Sequence, residues 1–425
     1  MPTTVEPGGK GVLGLARTVW RLGFTSLATD AASESVYPLL PVFLSRVLGA
    51  SAFSLGVIEG VAEGINSLLK IASGYFSDRW RRRQPIVVTG YGLSSAVRPL
   101  IALVTSWPQV LAIRVADRVG KGTRTAPRDA ILAAWAEPHT RGRVYGFHRA
   151  MDHIGAIVGP TFASLFLLAF PDRYRVLFAL TAIPGAIAVW LLFGVEDGPE
   201  RTSAAGAEAV PPVNRDQPAS GPVPVPPVSG AQLRAAPTVL SGPFLSYLAV
   251  LLIFTLGNSS DAFLLLRFTD LGVPVAWIPL VWAALHGVKA LSSVIGGAVS
   301  DVLGRRPVIV SGWAIYAGVY AGFAATESVG VLLMLFMLYG LYYGLTEGTE
   351  KALVADLVPA ASRGTAFGVY NAVLGVGALG ASLIFGAVWT WVGPAAAFGA
   401  GAALALTASV MLFAFVPGPP LAADR

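Results

Sequence analysis

Cysteine is absent from this chain, which excludes disulfide staples, thiol nucleophiles and cysteine metal centres. Histidine occurs only 4 times in 425 residues, and no His-rich metal cluster stands out. A Gly-x4-Gly-Lys-Ser/Thr phosphate loop is missing too. The run Gly120-Lys121-Gly122-Thr123 lacks the earlier spacing and falls inside a charged helix, so it is no phosphate cradle. Charge is scarce: 13% of residues are charged and 54% are hydrophobic, whereas a soluble domain carries about 25% charged residues. Such a surface would not stay in water, and a bilayer is the expected solvent. The first 19 residues are Gly-rich, and no small-residue cleavage site follows a short apolar core, so no removable signal peptide is expected.

What the chain does contain is apolar runs, along almost its whole length. A spanning helix needs about 20 residues. Twelve fit, roughly at 20–44, 52–72, 84–104, 108–136, 142–170, 175–195, 242–268, 275–299, 307–326, 329–358, 363–389 and 394–416. The longer ones imply tilt. The runs are continuous rather than alternating, which argues against a β-barrel. The expected fold class is therefore all-α, a polytopic membrane protein. The stretch 196–240 interrupts the pattern with nine prolines from Pro199 to Pro237 and reads as a partly extended linker. The expected organisation is a cytoplasmic segment 1–19, a six-helix bundle 20–195, the cytoplasmic linker 196–240, a second six-helix bundle 241–416 and a tail 417–425. Arginines cluster before the first helix and in alternate connections, while the other connections hold only Arg46, Arg173 and Arg175. The net charge of +6 thus points to membrane orientation rather than nucleic acid, with both termini and the arginine-rich loops in the cytoplasm.

The two halves repeat each other. Gly74-Tyr75-Phe76-Ser77-Asp78-Arg79-Trp80-Arg81-Arg82-Arg83 follows the second run. Gly297-Ala298-Val299-Ser300-Asp301-Val302-Leu303-Gly304-Arg305-Arg306 follows the eighth, 223 residues later. At an offset of 222, Arg141-Gly142 falls on Arg363-Gly364, Tyr145-Gly146 on Phe367-Gly368, Gly155 on Gly377, and Arg128-Asp129 on Glu350-Lys351. Repetition in one register means two similar membrane halves, and in that architecture the substrate site lies between them.

These residues resemble the major facilitator superfamily of secondary transporters, over roughly 20–195 and 242–416. That family's loop motif is Gly-x-x-x-Asp-Arg/Lys-x-Gly-Arg-Arg/Lys. The first copy keeps Gly74, Asp78, Arg79, Arg82 and Arg83, with Arg81 where glycine is usual. The second keeps Gly297, Asp301, Gly304, Arg305 and Arg306, with Val302 where a base is usual. On the fourth helix Arg114 fits the family's arginine, while Asp117 and Arg118 replace its Gln-Gly. On the fifth, Gly146, Gly155, Gly159 and Pro160 fit a motif associated with antiporters, which leans the resemblance toward export; Ala163 and Ser164 stand where its last glycines would be. The run Asp117-Arg118-Val119-Gly120-Lys121-Gly122-Thr123-Arg124-Thr125-Ala126-Pro127-Arg128-Asp129 resembles a subgroup of prokaryotic permeases, as does Tyr145 to Asp152. The resemblance implies two pseudo-symmetric six-helix bundles and a monomer. It also implies that the loop motifs form a latch stabilising the outward-facing state. The same arginines would also serve simply to fix orientation.

Ionisable residues inside a membrane are costly and are functional candidates by default. At 100° per residue, Arg114, Asp117, Arg118, Lys121, Arg124, Arg128 and Asp129 occupy an arc of about 140° on the fourth helix. On the tenth, Tyr343, Glu347, Glu350 and Lys351 share one face. The resemblance has helices one, four, seven and ten lining the cavity, so Arg124 and Arg128 are expected to look across toward Glu347 and Glu350. The first helix adds Asp30 and Glu34; the seventh adds Asn258, Asp261 and Arg267. Asp152, Glu59, Glu63, His148 and the membrane lysines Lys70, Lys121, Lys289 and Lys351 are further titratable groups. Two roles fit this set: a polar cavity handling substrate and protons, or structural ion pairs between helices. The small faces of Gly146, Gly155 and Gly159 fit close packing, and Pro160 fits a bend. Tryptophans and tyrosines read as interface anchors.

The leading expectation is a secondary transporter of a small organic solute, anionic or zwitterionic, driven by a proton gradient without a cofactor, in the prokaryotic cytoplasmic membrane. Uptake is the alternative direction. A membrane enzyme acting on a lipid-like substrate, or a transport-inactive sensor or scaffold, are the alternatives from other classes. Catalytic and metal-ligating residues are not expected.

Overall fold

A backbone in hydrocarbon must satisfy its own hydrogen bonds, so the apolar runs become helices. A computed structural model of the chain describes residues 15–79, 83–136, 141–198, 242–359 and 363–416. Among them are twelve helical rods: α1 (17–47), α2 (Ala52–Arg79), α3 (Gln84–Leu103), α4 (Trp107–Trp135), α5 (Arg141–Ala169), α6 (Tyr174–Leu192), α7 (Gly242–Asp270), α8 (Ile278–Leu303), α9 (Arg305–Ala325), α10 (Val329–Leu357), α11 (Arg363–Trp391) and α12 (Pro394–Phe415). Most of the expected linker lies outside the described residues.

Ten of the rods contain a stretch long and apolar enough to cross a membrane. The other two are α1 and α4. α4 carries too many charges. α1 loses regular α-geometry at Tyr37, where Pro38 and Pro41 withhold their N–H groups and the chain continues through 3-10 and π turns to Val47.

The packing scheme repeats with a shift of six helices. α1 packs on α5 and α6, α2 on α4, and α3 on α4 and α6; α7 packs on α11 and α12, α8 on α10, and α9 on α10 and α12. The two halves meet along α2–α11 and α5–α8, themselves equivalent under the repeat. Residues near the axis meet their own counterparts. The Tyr37 hydroxyl lies 3.2 Å from Ser260 Oγ, and Arg46 donates to the Thr269 carbonyl at 3.3 Å, both across the 223-residue separation of the loop motifs. Each half is thus built from one supersecondary plan, and the axis runs where α1 and α7 lose regular geometry.

Small residues set the closeness of these seams. Gly56, Gly60 and Gly64 recur every fourth residue of α2 and face α11. A Cβ at Gly60 would sit 3.1 Å from the Leu379 carbonyl oxygen and 3.2 Å from Ser382 Cβ. On α5, a Cβ at Gly155 would come 3.0 Å from Asp30 Cβ, and one at Gly159 would reach 2.9 Å from Ala31 Cα, so both glycines bring α5 against α1. Gly146 has open space around it. Pro160 is buried within α5, which continues as helix to Ala169.

Among the described side chains, contacts between halves concentrate at the end away from the arginine-rich loops. Phe53 stacks on Trp391 with ring centroids 5.8 Å apart, and its N–H donates to Thr390 Oγ1 at 3.0 Å. Ser164 donates to the Ala276 carbonyl. At the arginine-loop end the described side chains give one cross-half ion pair, Arg149 with Glu347 at 3.4 Å.

Candidate functional site

α7 stops at Gly257 and resumes at Ala262. The interruption frees backbone groups that the membrane cannot satisfy, and neighbouring hydroxyls take part of that role. Tyr316 donates to the Gly257 carbonyl at 3.0 Å and the Ala262 N–H donates to Ser260 Oγ at 3.3 Å, while the side chains of the break are themselves held, Ser259 by Tyr320 at 3.1 Å and Asn258 by the Tyr342 hydroxyl at 3.0 Å. Irregular backbone at this depth is tolerated where protein buries it or where it lines a cavity. Here it lines one. A cavity of about 320 Å³ is walled by Glu34 and Tyr37 of α1, Glu59 and Glu63 of α2, and Arg118 of α4. The interruption at 258–261, Trp282 and Lys289 of α8, Tyr343 of α10 and Ala378 and Ser382 of α11 complete it. Every wall is therefore drawn from the centre of the molecule, and both halves contribute.

Asp261 is the most heavily contacted carboxylate in it. It accepts from Tyr339 at 2.6 Å and from Tyr343 at 3.1 Å, and Lys289 Nζ lies 3.2 Å away. The Lys289 ammonium also sits 3.6 Å from the centroid of the Tyr343 ring and 5.2 Å from that of Trp282. A cation so placed gains from carboxylate and ring faces together. Glu59 pairs with Arg114 at 2.8 Å, both buried, and accepts from Ser260 of the other half at 3.4 Å. Arg118 Nε is 4.0 Å from Glu63, and Trp282 Nε1 donates to Glu34 at 2.8 Å.

The other sequence-derived candidates are placed elsewhere. Asp30 is half-buried against Gly155, and Lys121 is half-buried on α4; neither is in the cavity wall. Arg124 lies over the Tyr91 ring at 3.9 Å and donates to Ser94 at 2.8 Å, while Arg128 pairs with its neighbour Asp129 at 2.8 Å. Glu350 accepts from Trp313 at 2.9 Å and Tyr370 at 3.0 Å, and Glu347 meets Arg149 and Lys351. The expected alignment of Arg124 and Arg128 on Glu347 and Glu350 is therefore corrected. The reason is the width of the charged arc on α4. One edge, with Asp117 and Arg124, turns to α3; the other, with Arg114 and Arg118, turns to α2 and the cavity.

In the loop motifs, Gly74, Asp78, Arg79, Gly297 and Asp301 fall in the last turns of α2 and α8, with their side-chain contacts outside what the structure describes; Arg82 lies outside the described residues. Arg305 donates to Ser300 Oγ at 2.7 Å and reaches Asp356 at 3.6 Å, tying the α8–α9 turn to the end of α10. Arg306 donates to the Val416 carbonyl at 2.9 Å and covers the Phe413 ring. Gly304 makes that turn at φ +88°, a left-handed conformation suited to glycine.

Sequence reasoning missed Arg98, which pairs with Asp117 at 2.8 Å; an arginine inside the third apolar run was its signal. It also read tryptophans and tyrosines as interface anchors, whereas Tyr37 and Trp282 line the cavity, together with Tyr343 from the charged face of the tenth helix. Nothing in the local sequence separates a cavity tryptophan from an anchoring one.

The sequence profile described as Major Facilitator Superfamily matches residues 22–288 and 269–425. An uncharacterized MFS-type transporter of Methanocaldococcus jannaschii is 33% identical over 404 residues, 94% of each chain. A Multidrug resistance protein MdtH of Photorhabdus laumondii is 30% identical over only 133 residues, 31% of this chain and 33% of that protein. Among solved structures, a peptide transporter POT bound to alafosfalin superposes with TM-score 0.75 at 14% identity, covering 96% of both chains.

Proposed function

Because the chain belongs to the major facilitator superfamily and is a membrane transporter rather than an enzyme, we propose that it carries a small organic solute by alternating access, coupled to protons and working as an exporter by antiport. The observation that carries this reading is the central cavity itself. It lies between the halves, at the interruption of α7, and its walls hold opposed charges from both. A site between two repeats can change exposure when one half rocks against the other.

Proton coupling rests on Asp261. A proton on this carboxylate weakens its hold on Lys289 and on the two tyrosine donors, which belong to α8 and α10. Protonation at one atom thereby loosens three helices of one half. Export is supported by the glycine–proline face of α5 and by the partial likeness to multidrug resistance proteins. Uptake is the second reading, favoured by Arg118, which offers an organic anion or zwitterion a cation in the cavity wall. We place the termini and the arginine-rich loops in the cytoplasm of a prokaryote, with the chain acting as a monomer. The end where the described contacts between the halves gather is then the outer one, which supports an inward-facing state.

The test is solute flux in proteoliposomes and everted vesicles loaded with candidate compounds, with and without a pH gradient. Gradient-driven flux is expected for the intact protein. Asp261→Asn should lower it at least tenfold while leaving gradient-independent exchange. Failure of every solute to exchange would end the transport reading. Equal gradient-driven flux in Asp261→Asn would remove this residue from coupling.

A further inference from the structure

The cavity wall contains four carboxylates, Glu34, Glu59, Glu63 and Asp261. Three of them face a cation: Glu59 has Arg114 at 2.8 Å, Asp261 has Lys289 at 3.2 Å, and Glu63 has Arg118 at 4.0 Å. Glu34 has no ion pair with a lysine or arginine among the described residues. Its Oε2 accepts one N–H from the Trp282 indole at 2.8 Å, and the imidazole nitrogen His286 Nε2 is 3.9 Å away and hydrogen-bonds nothing among the described residues. A carboxylate in a membrane protein is costly without a compensating charge. Its surroundings are those that stabilise an ammonium. The Tyr37 and Trp282 rings stand beside it with centroids 5.1 Å apart, and aromatic faces attract cations. The cavity already shows that this chemistry works, because the Lys289 ammonium rests on the Tyr343 and Trp282 rings beside Asp261.

A second unsatisfied group lines the same cavity. Arg118 Nε is buried and donates no hydrogen bond among the described residues, being too far from Glu63 for one. The α4 arginines Arg114 and Arg124 are engaged in helix packing and do not line the cavity.

We propose that the transported solute carries a protonated amine, which docks between Glu34, Tyr37 and Trp282, and that an acidic group on the same solute is received by Arg118. This rests on the transporter reading above and names its substrate class: amine-bearing organic molecules, zwitterions above all. Glu34 supplies the counter-charge, the two rings supply the faces, and Arg118 sets the orientation.

The experiment compares three probes that share one ring: phenethylamine, phenylalanine and 3-phenylpropionate. Binding to purified protein at neutral pH is followed by tryptophan fluorescence and by thermal shift. Phenylalanine is expected to bind tightest and phenethylamine next, with 3-phenylpropionate at least tenfold weaker. Glu34→Gln should weaken both amines at least tenfold, and Glu34→Asp should recover part of the loss. Arg118→Gln should weaken phenylalanine but leave phenethylamine within twofold. The proposal is overturned if 3-phenylpropionate binds as well as the amines, if Glu34→Gln binds them unchanged while remaining folded by thermal shift, or if none of the three saturates. Counterflow of a broader solute library separates these failures from that of transport itself. Flux of amine-free solutes alone sinks the amine site and leaves the transporter standing.

Discussion

Asp117→Leu would strand the Arg98 guanidinium inside the first bundle. The pair is 2.8 Å apart, with side chains only 5% and 6% exposed. Removing one partner of such a pair costs about 3–5 kcal/mol, because the remaining charge has lost both water and counter-ion. Arg98 keeps one weak contact, the Thr29 carbonyl at 3.4 Å, so the loss should fall near the lower end, about 3 kcal/mol. Asp117→Asn keeps an acceptor but drops the charge. A hydrogen bond to a charged group is worth about 1.5–3 kcal/mol, and the amide should recover roughly half of the leucine loss. Arg98→Met should cost about as much as Asp117→Leu, since it leaves the carboxylate with Arg118 at 3.9 Å. The double variant Arg98→Met/Asp117→Leu removes both desolvated charges and should lie within about 1 kcal/mol of the natural protein. Reversible unfolding in mixed micelles, followed by tryptophan fluorescence, measures all four. Additive losses in the double variant would refute the reasoning, because they would mean that water reaches the pair and that the two charges are not coupled.

The cysteine-free chain allows Phe53→Cys/Trp391→Cys to be cross-linked with a short thiosulfonate; flux should stop and return with dithiothreitol, and continued flux would mean that this end need not open. Gly60→Leu should cost about 1–3 kcal/mol by overpacking the α2–α11 seam, read as a lower thermal midpoint, whereas Gly146→Ala should change little. Glu350→Leu strands the Trp313 and Tyr370 donors and should cost about 1–3 kcal/mol for each, with Glu350→Gln losing about half as much by the same unfolding assay. Arg149→Ala breaks an exposed pair with Glu347 and should change stability by less than about 1 kcal/mol.

The apolar runs, the repeated loop motif and the common offset were enough to read a twelve-helix membrane fold, because hydrocarbon leaves the backbone few alternatives. Individual charges were less legible. An amphipathic count on α4 groups all of its charged residues on one broad face, but a helix in a bundle has several neighbours. The same arc supplied Asp117 to Arg98, Arg124 to Tyr91, Arg114 to Glu59 and Arg118 to the cavity. Which neighbour takes which charge depends on helix position and rotation, and neither is written in the spacing.

Cavity membership was harder still. Glu34 and Asp261 were visible as acids in apolar runs, while Trp282 and Lys289 gain their meaning from what α1 and α7 bring beside them. Composition and repetition determined the solvent, the helix count and the two-fold plan, since those depend on residue type summed over long stretches. Tertiary packing alone decided which buried charges neutralise one another and which face the central space, since that turns on ångström-scale separations between helices far apart in the chain.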